Sequence, residues 1–136
     1  MEGLDRFIKA QDLDYETALA EIKSGRKRSH WIWYIFPQIQ GLGYSEISCY
    51  YAIRDKEEAS AYIEHPLLGA RLIEISQALL QLESNDAGDV MGYPDDLKLK
   101  SSMTLFSLVS DHPVFQQVLD KFFDGGKDKL TVNAIR

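Results

Sequence analysis

Residues able to do chemistry gather in three stretches of this chain. The first is Lys23, Arg26, Lys27, Arg28 and His30, followed at once by Trp31 and Trp33. Guanidinium groups offer paired N–H donors that match phosphate or carboxylate oxygens, and an indole stacks on a base or ring. Arg26, Lys27, Arg28, Trp31 and Trp33 therefore read as half of a nucleotide-like pocket. His30 is the candidate catalytic group, able to move a proton near neutral pH. The same stretch also reads as a solvated basic turn at a helix C-terminus, where positive charge suits the helix dipole, with both tryptophans in the core. No second His or Cys stands at ligand spacing from His30, so no metal is expected.

The second stretch runs from Pro94 to Thr104. Lys98, Ser101 and Ser102 lie three to four positions apart and share a helical face, and Thr104 adds a third hydroxyl. An ammonium and hydroxyls on one face can hold phosphate oxygens, or the lysine can assist a serine nucleophile. Against this, helix-interior hydroxyls often bond back to the preceding turn, and Asp95 and Asp96 simply complement the dipole. The third stretch, Phe36 to Ser45, contributes Gln38 as a further ligand-binding candidate. Its two glycines permit close backbone approach, and Ser45 leads into a helix N-terminus. It lacks the G-K-[ST] ending of a phosphate loop and no βαβ pattern surrounds it. No redox motif is present, and no cofactor is expected.

Composition bounds these readings. The 136 residues are 45% hydrophobic and 26% charged, which fits a globular protein and excludes disordered, collagen-like or disulfide-scaffold classes. Fifteen basic residues stand against 21 acidic ones, a net charge of -6. Duplex nucleic acid and anionic membrane surfaces are therefore poor partners; a local basic spot suits a small anion. The longest apolar run, Trp31 to Pro37, is far short of a membrane span, and MEGLDRFIKAQ does not read as a signal peptide. A cytoplasmic setting is the expectation. Cys49, lacking any disulfide partner, reads as a small buried residue, and His65 and His112, each before a proline, read as helix caps.

These residues must be positioned by helices. A short helix around Leu4–Gln11 is followed by one capped by Asp14 and closed at Gly25. Trp31–Phe36 is either a buried strand or a turn of buried helix. Helices then open at Ser45, near Glu57, at Pro66, at Pro94 and at Pro113, and Ser84–Asp86 and Asp124–Gly126 act as breaks. A short helix in the tail completes the pattern. The expected fold is all-α: one multihelical domain over residues 1–136, with about six to eight short and medium helices.

With these residues in view, the chain resembles a bacterial family of domains of unknown function often labelled calpastatin. The matching stretches are Gly25-Arg26-Lys27-Arg28-Ser29-His30-Trp31-Ile32-Trp33-Tyr34-Ile35-Phe36-Pro37-Gln38, His65-Pro66-Leu67-Leu68-Gly69-Ala70-Arg71-Leu72, and Pro94-Asp95-Asp96-Leu97-Lys98-Leu99-Lys100-Ser101-Ser102-Met103-Thr104-Leu105-Phe106. The resemblance implies a mainly α-helical single domain and no known activity. Inhibition of the calpastatin kind uses a disordered segment, at odds with a folded chain.

Two functions compete. One is binding, with or without hydrolysis, of a small phosphorylated or nucleotide-like ligand in a basic and aromatic pocket. The other is a non-catalytic protein-interaction module in which Trp31, Trp33 and Tyr34 are exposed anchors.

Overall fold

Phe7, Gln11, Tyr15, Ala18 and Ile22 are all buried and recur every three or four residues, which is one face of one uninterrupted helix. The computed structural model, which describes residues 2–136, shows that helix as α1, Asp5–Lys23. The two helices expected here are thus one. Asp14 caps nothing; it accepts the hydroxyl of Tyr34, twenty residues downstream. After α1 come α2 (Ile32–Ile35), α3 (Glu46–Tyr51), α4 (Lys56–Glu64), α5 (Pro66–Leu80), α6 (Ala87–Met91), α7 (Asp95–Val109), α8 (Val114–Phe123) and α9 (Lys129–Ala134). The fold is all-α, and the nine helices of the described residues exceed the expected six to eight because α2 and α6 are single turns.

Helix starts follow local chemistry. Ser45, Asp55, Asp86 and Asp128 cap α3, α4, α6 and α9 through their side chains. His65 Nδ1 accepts from the Leu67 and Leu68 amides at 3.1 and 3.3 Å, and His112 Nδ1 from Val114 at 3.1 Å. Both histidines are caps, as their positions before proline suggested.

The core centres on α7. Leu99 and every residue from Ser101 to Phe106 are buried, because α2, α4, α6, α8 and α9 all pack around this helix. On the other side α5 joins α1, α4 and α8. Gly69 makes the α4–α5 turn tight: a Cβ there would stand 2.1 Å from the Ile63 carbonyl oxygen.

Two ionic devices fix the loops. Glu21 accepts from the backbone N–H of Arg28 (2.8 Å) and Ser29 (2.9 Å), the Ser29 hydroxyl (2.6 Å) and the Trp31 indole (2.9 Å). Burial alone would raise its pKa; the four hydrogen bonds outweigh burial and lower it to about 2. Glu58, 1% exposed, pairs with Arg6 and Arg54, each at 2.9 Å. Its burial is likewise outweighed by the Arg6 hydrogen bond, the Arg54 amide and both guanidinium charges, which hold the carboxyl below its usual range. Arg6 also donates to the carbonyls of Tyr50 and Ala52, both at 2.8 Å, so the start of α1 anchors the segment after α3. That segment meets the one after α2: Gln40 N–H donates to Ile53 O and Ile53 N–H to Gln38 O, each at 2.8 Å.

Candidate functional site

The strap Gln38–Gly43, the open helix α3, the first half of α7 and the Asp128–Leu130 segment enclose a cavity of about 870 Å³. Four of the sequence candidates line it: Trp33, Gln38, Lys98 and Ser101. Lys98 Nζ sits 5.3 Å from the Trp33 ring centroid and 3.6 Å from Asp95. Ser101 donates to Leu97 O (3.2 Å) and to Asp128 Oδ2 (3.1 Å).

The other candidates are elsewhere. Trp31 is 1% exposed, its indole bonded to Glu21, and Lys27 lies 4.9 Å over its ring. Lys27 itself is mostly buried and pairs with Asp95 at 2.8 Å. Ser102 is fully buried and its hydroxyl has no partner among the described residues. Thr104 spends its hydroxyl on Lys100 O (2.8 Å) and the Asp128 amide (2.9 Å). Arg26, Arg28 and His30 are exposed but do not line the cavity. The basic stretch is thus largely a turn pinned by Glu21. It approaches the cavity through Lys27, whose partner Asp95 also contacts Lys98; the first and second sequence blocks meet there and where Lys98 faces the Trp33 ring. Tyr34 is buried, so neither it nor Trp31 is an exposed anchor.

Residues not singled out from sequence complete the lining. Lys100 makes no ion pair among the described residues, and Asp128, Gln40, Tyr44 and Tyr51 join it. Cys49, expected in the core, is instead exposed on the cavity wall, since α3 buries none of its residues. Burial and then Tyr50 raise the Tyr51 pKa, so this phenol stays neutral and able to donate. Two ammonium groups against one carboxylate give the lining a local positive charge on an acidic molecule. No cluster of three His, Cys, Asp or Glu able to hold a metal exists among the described residues, and none of their helices is long and apolar enough to cross a membrane.

The family model described as "Protein of unknown function (DUF1810)" matches residues 1–135. The chain belongs to the DUF1810 family. That description assigns no activity. The DUF1810 chain is also similar to the crystal structure of the conserved hypothetical protein Rv1873 from Mycobacterium tuberculosis. The two are 44% identical with a TM-score of 0.95, over 97% of this chain and 95% of the other. No curated protein matches.

Proposed function

We propose that the cavity binds a small phosphorylated, nucleotide-like ligand. The observation that carries this reading is the meeting of Lys98 and Lys100 with the Trp33 ring, Ser101 and Gln38 around one space large enough for such a molecule. Lys98 and Lys100 supply the charge for phosphate oxygens and Trp33 an aromatic face, while Ser101, its proton held by Leu97 O and Asp128 Oδ2, keeps oxygen lone pairs to accept from a ligand hydroxyl. Asp128, with its Oδ2 already engaged by Ser101 and Thr131, keeps Oδ1 for a ligand hydroxyl. The setting is the cytoplasm, where such ligands are abundant and Cys49 stays reduced.

Titration calorimetry with pyrophosphate, ribose 5-phosphate and AMP tests the reading. At least one probe should bind, and Lys100→Ala should weaken it tenfold or more with an unchanged melting temperature. Arg28→Ala separates the two basic clusters: loss of binding in Arg28→Ala but not Lys100→Ala would move the site to the Arg26–Arg28 turn. A second reading, docking of a protein partner, is favoured by the rim, where Tyr44 (92% exposed), Leu97 and Leu130 leave apolar surface open. Flat titrations with every phosphorylated probe would favour it.

A further inference from the structure

The strap that closes the cavity is extended where it pairs with Ile53. In extended backbone, residues two apart face the same side. Ile39 is buried, while its neighbours Gln38 and Gln40 are more open and both border the cavity. Their backbone is immobilised: the Gln38 carbonyl and Gln40 amide are both consumed by Ile53. Neither carboxamide side chain hydrogen-bonds to a described residue. Gly41 follows at φ 97°, with nothing within 4 Å of the place a Cβ would take, so the strap turns without intruding on the space.

Two free carboxamides on a fixed strap, about 6.6 Å apart at their Cα atoms, form a row of adjacent donors and acceptors. A glutamine amide is complementary to a heterocycle edge that sets an amino donor beside a ring-nitrogen acceptor, and adenine presents that pair. The lysines lie on α7 and the glutamines on the strap. An elongated ligand therefore places its anion against α7 and its base against the strap, beside the uncovered ring of Tyr44.

We infer that Gln38 and Gln40 read the amino edge of an adenine base, making the ligand of this cavity an adenine nucleotide. This rests on the reading of the cavity as a phosphorylated-ligand site. The test compares AMP, N6,N6-dimethyl-AMP, which has lost the amino donor, and ribose 5-phosphate, which has lost the base. Gln38→Leu and Gln40→Leu are titrated in parallel, with melting temperatures confirming the fold. AMP should bind at least tenfold tighter than its dimethyl analogue. Each leucine variant should weaken AMP about tenfold and narrow its preference over the dimethyl analogue. Equal affinity for AMP and dimethyl-AMP, or leucine variants that retain AMP, would overturn the adenine assignment while leaving the anion site standing. Absence of binding by AMP would overturn the adenine assignment, and absence of binding by ribose 5-phosphate and pyrophosphate as well would overturn the anion site with it.

Discussion

Removing the Glu21 carboxylate should unlock the basic turn without touching the cavity. In Glu21→Ala, two backbone amides and the Ser29 hydroxyl lose an anionic acceptor, and the Trp31 indole N–H is left unpaired in the core. The amides and hydroxyl can recover water; the indole, on a residue 1% exposed, cannot. A buried donor left unpaired costs about 1–3 kcal/mol. The lowered carboxyl, to which that indole bond contributes, bounds the same loss. Its displacement from 4.5 to about 2 corresponds to at most about 3.5 kcal/mol, and solvent access to the turn reduces this to about 1–2 kcal/mol. The expected loss is about 2 kcal/mol at pH 7. For a domain of this size that is a melting-temperature drop of about 6 °C. The sign with pH is fixed: a carboxyl held low stabilises the fold above its unfolded pKa, and the contribution fades as pH falls from about 4.5 towards 2. Urea unfolding of both proteins at pH 7 and pH 3 is the assay. The gap should narrow by about half at pH 3. A loss below 0.5 kcal/mol (about a quarter of the expected effect) at pH 7, or a gap equal at both pH values, would refute the reasoning.

Gly69→Ala should cost about 2 kcal/mol or more, because its Cβ meets a backbone carbonyl at 2.1 Å that moves only with the α4–α5 turn; a melting temperature within 2 °C (roughly 0.5 kcal/mol) of the parent would contradict the close approach. Lys27→Met should destabilise by about 1–3 kcal/mol, since Asp95 keeps only the longer contact to Lys98 at 3.6 Å. A double-mutant cycle with Asp95→Asn should show coupling of about 1 kcal/mol, and additive single effects would show that the pair contributes nothing.

Prolines, glycines, the Ser45 hydroxyl and the two histidines before prolines marked most helix starts and stops, because those signals act within four residues. Asp14 misled for the converse reason: its partner, Tyr34, lies beyond any local window. The site was half legible. Trp31 precedes α2 and is buried whereas Trp33 lies on it and fronts the cavity; successive residues of a helix turn about 100° apart, so Ser101 fronts the cavity while Ser102 does not. Chemical type chose the stretches, but only packing could choose between neighbours. Lys100 was within reach, two residues from Lys98 in a stretch already marked. Asp128 carried no signal beyond a helix cap, and Cys49 was misplaced because a short helix gives too little periodicity to show which face is open.

Thr104 and Asp128 give the molecule an order in time. The cavity draws on residues 33, 38–52, 94–101 and 128–130, and the buried Thr104 hydroxyl holds the Asp128 backbone in place. Synthesis at about 5–20 residues per second separates the first of these from the last by roughly 5–20 s. During that interval the nascent chain carries the tryptophan and the strap but lacks Asp128 and Leu130. A ligand that needs both walls is held only by a chain that has been translated through α9. Occupancy of the cavity would then set chains extended beyond α9 apart from shorter nascent ones.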